Sequence, residues 1–382
     1  MKTEHRLLLA ALKCAVQGTP WVADSTPDWQ ELLQLAGRHQ VAPLLQSVVC
    51  KMDGVPDYAA RALQLVRQQA AFNEAQQHYV AETVGKQLTC AKIPHILLKG
   101  TVLKADYPAP ELRTMSDLDV LVHQEDYSRV CKVMEPLGGV LVHSDGGHRS
   151  YSVPPGVKLE FHPNLIYVAS SVGAGINPGW QYAEEGSGPY AMTLTEEGFY
   201  LHLICHLAGH FFSGGTGIRS VLDVWVYRHC HSPQPAPALI RGELERIGLW
   251  NFAQRIEALS EYWFGSGETT EALDELGQYI LGSGTYGTMQ QGTLNEACFA
   301  GSKTSATMGR IFLPMSDMRC RFTWLERAPF LLPVAWCIRA KRAITLHHKE
   351  IKGWTRCTAA LSREEITNHQ QWLKQIAGLE TE

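Results

Sequence analysis

The sequence predicts an α+β protein in which a small mixed sheet is embedded between helical N-terminal and C-terminal regions. Apolar residues recur with helical spacing over residues 1–90 and again over residues 191–382. Between them, residues 91–190 contain short apolar runs and period-two alternation, which are typical of strands. We therefore expect an N-terminal helical segment, an α/β domain and a C-terminal helical region with these bounds.

The first ninety residues contain two helical patterns. The stretch "DWQELLQLAGRHQVAPLLQSVV" has apolar residues at helical spacing on both sides of Pro43. The stretch that begins at Asp57, "DYAARALQLVRQQAAFNEAQQHYVAETVGKQLTCA", continues for over thirty residues without proline and is rich in strong helix formers. Both patterns predict helices.

Four short stretches define the α/β domain. "IPHILLKG" is an apolar run that ends in glycine, and it predicts a buried strand followed by a turn. "DLDVLVHQ", from Asp117, and "VKLEFHPNL", from Val157, alternate with period two. "GVLVHSDGGHRSYSV" predicts a hairpin that turns at residues 145–147. Together they predict a small sheet with helical connections.

Two helices are expected to open the C-terminal region. "TEEGFYLHLICHLAGHFF" starts at Thr195, where a threonine followed by glutamates is a capping signal. "GIRSVLDVWVYRHCH", from Gly217, predicts the next helix because its apolar residues recur at helical spacing.

The composition is that of a globular protein. The chain has 382 residues, of which 45% are apolar and 19% charged, so it can bury a sizeable core and is not disordered. Its net charge of −4 disfavours a general nucleic-acid binder, which usually carries a basic patch. Long nucleic acid is therefore not an expected partner.

The cysteines and the apolar runs predict a cytoplasmic protein without a membrane span. The ten cysteines include no CxxC pair, and scattered cysteines in a large chain indicate reduced thiols. The N-terminal apolar run contains Lys13 and lacks a cleavage site, so it predicts an amphipathic helix rather than a secretion signal. The run at residues 328–338 is interrupted by Pro333 and is too short to cross a bilayer.

Asp117 and Asp119 lie one residue apart at the start of a predicted strand. Residues i and i+2 of a strand point to the same face, so the two carboxylates repel each other unless a cation lies between them. Glu160, on the polar face of another predicted strand, is the candidate for a third carboxylate. Because hard cations take oxygen ligands, the three residues predict a site for Mg²⁺ or Mn²⁺.

A second motif, Lys99-Gly100-Thr101, lies where one predicted strand ends and a helix begins. Glycine permits the close approach of a phosphate, and a helix N-terminus presents free N–H groups. Thr101 offers a hydroxyl, and Lys99 offers a mobile positive charge. Together with the acidic residues, this motif suits metal-assisted phosphoryl chemistry.

The order of these motifs resembles the polymerase-β-like nucleotidyltransferase superfamily. More narrowly, "LLKGTVLKADYP", "RTMSDLDVLV" and "KLEFH" resemble the uncharacterised bacterial nucleotidyltransferase family that carries an LLKG…YP…R…D-hydrophobic-D signature. The resemblance covers most of the chain and is densest over residues 95–225. It implies a polymerase-β-like nucleotidyltransferase fold for the mixed sheet.

The resemblance also implies roles for the matching residues. Asp117, Asp119 and Glu160 would be catalytic and would hold the metal ions. The residues expected to bind the nucleotide are Lys99, Gly100, Thr101, Arg113 and Ser116. Lys99 stands where many members of the superfamily have a second glycine, which implies a different phosphate grip or nucleotide pose.

These features predict the transfer of a nucleoside monophosphate from a nucleoside triphosphate (NTP) to an acceptor hydroxyl, with release of pyrophosphate. The acceptor is left open between a small molecule, a sugar, a peptide, a protein and an RNA end. Two alternatives are kept. One is a group transferase that uses another nucleotide-activated donor, such as a nucleotide sugar. The other is an inactive nucleotide-binding or interaction protein on the same fold.

Four further residues are candidates for substrate contact: His162, His206, His210 and Arg219. His206 and His210 follow His202 along one helix face, which also allows zinc binding or plain packing. Three ligands on one helix are poorly placed around a tetrahedral ion, so zinc is disfavoured. Arg219 precedes Asp223 by one helical turn, so it is expected either to pair with Asp223 or to reach the triphosphate.

Overall fold

The computed structural model describes residues 1–144, 148–165, 179–231, 237–346 and 348–379. It confirms the α+β fold class, because one seven-stranded mixed sheet is flanked by helices on its N-terminal and C-terminal sides.

Four helices precede the sheet, as the sequence predicts. They are α1 (Thr3–Gln17), α2 (Trp29–Arg38), α3 (Ala42–Val49) and α4 (Asp57–Cys90). The Asp28 carboxylate caps α2 by accepting from the N–H groups of Gln30 and Glu31. Pro43 lies in the first turn of α3, where its missing N–H costs nothing.

The strands of the sheet are short. They are β1 (His95–Leu97), β2 (Asp117–Val122), β3 (Val140–Ser144), β4 (Arg149–Val153), β5 (Val157–His162), β6 (Ala183–Glu185) and β7 (Ala191–Leu194). Their order across the sheet is β3-β4-β5-β2-β1-β7-β6. Two short helices connect them, α5 (Gly100–Leu103) and α6 (Tyr127–Met134). The β3–β4 hairpin pairs as predicted, and its turn at residues 145–147 lies outside the described residues.

The central pair of strands, β2 and β5, is parallel, and its register positions the site. Asp119 lies opposite Glu160, and Asp117 lies opposite Lys158. The other face of these strands is apolar and packs against α4 and α6, with Val120 and Phe161 fully buried. Alternation therefore directs apolar side chains to the helices and charged ones to the opposite face.

After β7, which occupies the first four residues of the predicted C-terminal region, the regular secondary structure of the described residues is helical. The helices are α7 (Glu196–Ser213), α8 (Ile218–Cys230), α9 (Pro237–Arg246), α10 (Trp250–Phe264), α11 (Glu271–Ser283), α12 (Met289–Phe299), α13 (Lys303–Ile311), α14 (Met315–Arg321), α15 (Leu332–Leu346), α16 (His348–Ala360) and α17 (Arg363–Gln375). The predicted cap at Thr195 is present, since its hydroxyl oxygen accepts from the N–H of Gly198. The N-terminal and C-terminal helices share one hydrophobic core that extends from Leu7 to Leu379.

None of the described helices is both long enough and apolar enough to cross a bilayer.

Candidate active site

A cleft of about 470 Å³ lies between the charged face of the sheet and the helices α7 and α8. We call one side the sheet wall, which comprises Lys99, Asp117, Asp119, Glu160 and His162. We call the other side the helical wall, which comprises His206, His210, Arg219, Asp223 and Tyr286. Gly100, Arg113 and Ser116 also line the cleft. Thr101 is the one residue of the predicted site that does not.

Three residues of the sheet wall form an acidic cluster: Asp119, Glu160 and His162. One ligand atom from each lies within 4.8 Å of the other two. The Nε2 atom of His162 is 2.8 Å from Asp119 Oδ1 and 3.6 Å from Glu160 Oε2. Because the three side chains come from neighbouring positions of two paired strands, the sheet itself fixes their spacing.

Asp117 lies beside the acidic cluster rather than in it. Its carboxylate accepts from the Ser116 hydroxyl at 3.2 Å and lies 3.5 Å from the Lys158 ammonium. The structure thus brings two of the three predicted metal ligands together and adds His162, which the sequence predicts only as a substrate contact. Asp117 points to the same face of β2 as Asp119, two residues earlier in the strand.

Two lysines neutralise the acidic cluster. Lys99 Nζ is 2.9 Å from Asp119 Oδ2, and Lys158 Nζ is 2.5 Å from Glu160 Oε1. The Ser150 hydroxyl donates to the same Glu160 oxygen at 2.9 Å. The two mostly buried carboxylates, Asp119 and Glu160, thus accept hydrogen bonds from three side chains.

The electrostatics keep both carboxylates ionised at neutral pH. Burial acts to raise the pKa of Asp119, but Lys99 and His162 outweigh it and hold this pKa well below its usual range. Burial likewise acts to raise the pKa of Glu160, and hydrogen bonds from Lys158 and Ser150 bring it below the usual value. Ionised carboxylates on one sheet face form a site for a cation.

The turn at Lys99 and Gly100 borders the cleft. Lys99 has φ of 41°, in the left-handed region that costs a non-glycine residue free energy. A side chain at Gly100 would overlap the Arg113 guanidinium, so packing requires the glycine here. The helix that follows, α5, is only four residues long. The Thr101 hydroxyl is buried without a hydrogen-bond partner, so it does not reach the cleft.

Arg113 lies at the floor of the cleft in a buried ion pair. Its Nε donates to Asp223 Oδ1 at 2.9 Å, and a terminal nitrogen donates to Asp223 Oδ2 at 2.7 Å. The Tyr107 hydroxyl donates to the same carboxylate at 2.7 Å. Burial acts to lower the pKa of Arg113, but Asp223 outweighs it and the guanidinium stays charged. Arg113 thus supports the Gly100 turn and joins the sheet to α8.

Arg219 does not make the helical ion pair with Asp223 that its spacing allows, because Arg113 and Tyr107 bind that carboxylate. It donates instead to the backbone carbonyl of Thr114 at 2.8 Å and to the side chain of Gln40. Burial and the nearby Arg113 lower the pKa of Arg219. Its charge therefore faces the cleft with neutral hydrogen-bond partners.

Residues 38–40 fasten the helical wall to the N-terminal helices. The ring of buried His39 accepts from the Ile218 N–H at Nδ1 and donates to the Leu281 carbonyl at Nε2, both at 3.2 Å. The Gln40 side chain donates to the Tyr286 hydroxyl at 3.0 Å. The start of α8 and the end of α11 are thereby held in place.

The histidines of α7 divide into two sets. His206 and His210 line the cleft, with their Nε2 atoms 3.1 Å apart. Burial lowers the pKa of His206 well below its usual value and that of His210 to about 4. His202 lies outside the cleft, where its Nδ1 is 2.8 Å from the Leu165 carbonyl oxygen. Among the described residues, the only group arranged to hold a metal ion is the acidic cluster.

Several residues in or beside the cleft were missed by sequence reasoning. Lys158 could have been found, because it precedes Glu160 by two residues on the same strand face. Tyr286 and Asp223 could not, because their partners lie over one hundred residues away in the sequence.

The chain is an enzyme of the nucleotidyltransferase class, since residues 25–265 match a family model of that class. The family is described as an uncharacterised nucleotidyltransferase, and the match covers more than half of the 382 residues. The chain therefore belongs to this family, which confirms the resemblance drawn from the LLKG and DLD motifs.

One similar solved structure is the solution structure of the antibiotic-resistance factor ANT(2'')-Ia. The two chains are 12% identical, and the similarity covers 45% of this chain and 93% of that one with a TM-score of 0.33. A similarity at this level says nothing about substrate or residue roles. No curated protein matches the chain.

Proposed function

We propose that the protein transfers a nucleoside monophosphate from an NTP to an acceptor hydroxyl and releases pyrophosphate. The observation that carries this proposal is the acidic cluster, which places two ionised carboxylates and an imidazole on one side of a cleft of about 470 Å³. Membership of a nucleotidyltransferase family supports the reaction type.

The donor set of the acidic cluster fits a divalent cation. Asp119, Glu160 and His162 would hold the ion, and Asp117 offers a further carboxylate on the same strand face. Carboxylates suit Mg²⁺ and Mn²⁺, while imidazole is more usual around transition metals, which favours Mn²⁺ within this pair. When bound, the ion would neutralise phosphate charge and polarise the reacting phosphoryl group.

Three basic residues in or beside the cleft are placed to bind the triphosphate. The Lys99 ammonium is bound to Asp119 at the border of the cleft, so a small movement would transfer it from a carboxylate to a phosphate. Lys158 is half exposed and bound to Glu160, and it can move in the same way. Arg219 approaches from the helical wall, where its hydrogen-bond partners are neutral. These three cations would grip a polyanionic donor from both walls.

The remaining groups act on the acceptor. Its hydroxyl oxygen attacks the α-phosphorus, the bond to pyrophosphate breaks, and the hydroxyl proton passes to an ionised base. Glu160 is the base available in the acidic cluster, because its lowered pKa keeps it ionised. His206 and His210 are neutral because burial lowers their pKa values, and they lie on the helical wall rather than in the acidic cluster. We assign them to hydrogen bonding with the substrate.

One observation favours a second candidate, a nucleotide-binding protein without catalysis. Lys99 and Lys158 already neutralise the acidic cluster, and a cluster with its own ammonium groups does not require a metal ion. The two candidates differ in whether a divalent cation displaces these lysines.

The experiment measures thermal stabilisation of the full chain by ATP, GTP, CTP, UTP and UDP-glucose, each with and without Mg²⁺ or Mn²⁺. Consumption of the best donor is then followed by pyrophosphate release. We expect a metal-dependent shift with an NTP that is lost in Asp117→Ala/Asp119→Ala. The matched control is Asp53→Ala/Asp57→Ala, which removes two exposed aspartates remote from the cleft.

Each outcome assigns one function. Stabilisation with pyrophosphate release supports transfer from an NTP. Stabilisation without release of pyrophosphate, over a panel of hydroxyl-bearing small molecules, peptides and proteins, supports the binding protein. Consumption of UDP-glucose alone supports the group transferase. A shift that persists in the cleft variant contradicts the site.

A further inference from the structure

The C-terminal helices carry a strongly basic surface that the cleft does not use. Residues 303–356 contain eleven Lys and Arg against three Asp and Glu, a formal charge of +8 in a chain whose net charge is −4. We call these residues the basic segment. It extends from α13 into α16. Charge of one sign concentrated in this way attracts an anionic partner.

An apolar stripe runs along α15 within the basic segment. Phe330, in the turn before α15, exposes 78% of its surface, and Val334 and Ile344 expose 48% and 64%. Cys337 is exposed as well. Spacings of three and seven residues place Val334, Cys337 and Ile344 on one helix face, which Lys341 shares, and Phe330 lies in the turn that precedes this face. At the rise of an α-helix the part of the stripe from Val334 to Ile344 is about 15 Å long.

The end of α13 extends this surface. Phe312 is 43% exposed, and its ring meets that of Trp336 edge to face with centres 4.9 Å apart. Arg339 donates to the carbonyls of Arg310 and Ile311 at 2.9 and 3.4 Å, which fixes the end of α13 against α15. Apolar and basic side chains thus lie together on a braced surface.

We propose that the basic segment docks the protein on the surface of an anionic lipid bilayer, with the apolar stripe inserted between the headgroups. Exposed aromatic and aliphatic side chains beside Lys and Arg are the composition of interfacial helices, whose apolar face lies about 5–10 Å deep in the bilayer boundary. Anionic lipids attract the basic residues. The arrangement is independent of the transfer reaction.

Charge and exposure together favour the bilayer over two other partners. The lysines and arginines could bind nucleic acid, but nucleic-acid binding does not explain why Phe330 and Ile344 are exposed. A second copy of the chain would bring one basic segment against another of the same charge. An anionic bilayer matches both the charge and the apolar stripe.

The test is flotation of the full chain, without nucleotide, with vesicles of phosphatidylcholine alone and with vesicles that also contain phosphatidylglycerol. We expect binding to the anionic vesicles only, and we expect added salt to weaken it. Phe330→Ser/Ile344→Ser and Lys341→Glu/Arg342→Glu should each lower the partition coefficient by about tenfold.

Matched control variants distinguish docking through the basic segment from non-specific binding to vesicles. Leu65→Ser/Phe72→Ser removes apolar side chains on α4 that are 66% and 59% exposed, and it should leave binding unchanged. Lys51→Glu/Lys374→Glu reverses two exposed charges elsewhere and should weaken binding far less.

Three results would overturn the proposal. The first is no binding to anionic vesicles, or equal loss in the test and control variants. The second is a fall in the solution mass of the free protein when Phe330 and Ile344 are replaced, since the stripe would then be an interface between copies. The third is a pattern of results that indicates a nucleic-acid site. The protein would bind an oligonucleotide, and Lys341→Glu/Arg342→Glu would abolish that binding. Phe330→Ser/Ile344→Ser would leave both oligonucleotide binding and vesicle binding intact.

Discussion

The two walls of the cleft carry charge in different ways. On the sheet wall, Asp119 and Glu160 are ionised, and each is bound by a lysine at 2.9 or 2.5 Å. On the helical wall, burial keeps His206 and His210 neutral, and Arg219 hydrogen-bonds with neutral groups. The sheet wall is therefore suited to exchange one cation for another. The helical wall offers hydrogen bonds and the positive charge of Arg219, whose hydrogen-bond partners are neutral.

The largest effect is expected from Asp119→Asn on the sheet wall. We expect it to lower the transfer rate by about 10³-fold, because it removes a carboxylate from the acidic cluster while keeping its shape. Asp117→Asn should cost only about tenfold, since Asp117 lies beside the cluster. Pyrophosphate release by both variants measures the difference. Equal losses would mean that the predicted pair, rather than the observed cluster, holds the metal.

Arg113→Met tests the buried ion pair between Arg113 and Asp223, which connects the sheet to α8. Removal of the guanidinium leaves Asp223 buried and unpaired, which should lower the free energy of unfolding by about 3–5 kcal/mol. Arg67→Met, whose partner Glu111 lies nearer the surface, should cost less than about 1 kcal/mol. Urea denaturation of both variants gives the comparison. If Arg113→Met lowers the free energy of unfolding no more than Arg67→Met does, the ion pair with Asp223 does not stabilise the fold.

His39, which supports the helical wall, should make the stability of the fold depend on pH. Burial lowers the pKa of His39 to about 4, whereas the unfolded chain titrates near the ordinary value of 6.5. Between these values the unfolded state binds more protons, so stability is present at pH 7 and is lost as the pH falls towards 4. From pH 7 to pH 5 this one residue should cost about 2 kcal/mol.

His39→Gln should remove that part of the pH dependence, since glutamine keeps a donor and an acceptor but does not titrate. The exposed His78 provides the control, and His78→Gln should leave the pH profile unchanged. Urea denaturation at pH 7 and pH 5 measures both. If the profile of His39→Gln matches that of the wild type, His39 is not the titrating group.

The smallest effect is expected at Lys158, which lies beside the sheet wall. Lys158 is half exposed, so Lys158→Met should change the free energy of unfolding by less than about 1 kcal/mol. It should nevertheless raise the KM for the nucleotide severalfold, because one of the three cationic contacts is lost. A KM that stays at the wild-type value would remove Lys158 from the binding model.

The alternation of strands made much of the sheet wall predictable. The period of two predicts that Asp119 and Glu160 lie on polar strand faces, and the structure pairs them across β2 and β5. Two features were beyond that pattern. The period does not give the register between strands, so it could not show that His162 rather than Asp117 would complete the cluster. It also does not show that Gly100 is needed to accommodate Arg113.

The helical wall was less predictable because its contacts are long-range. The spacing of Arg219 and Asp223 indicated a local ion pair, yet each residue found a partner over one hundred positions away. Arg113, expected to contact phosphate, is bound to Asp223 instead, and the Thr101 hydroxyl is buried. Helical periodicity predicts which face is apolar, but it does not predict which distant loop will meet a polar side chain.

The contacts of residues 38–40 have a consequence for how the protein is made. His39 and Gln40 meet Ile218, Leu281 and Tyr286, which are synthesised about 180–250 positions later. On the ribosome, the sheet with its acidic cluster can assemble once residue 194 has emerged, but the opposite wall cannot close. A nascent chain therefore presents the acidic cluster without its cleft, and nucleotide binding should begin only late in translation.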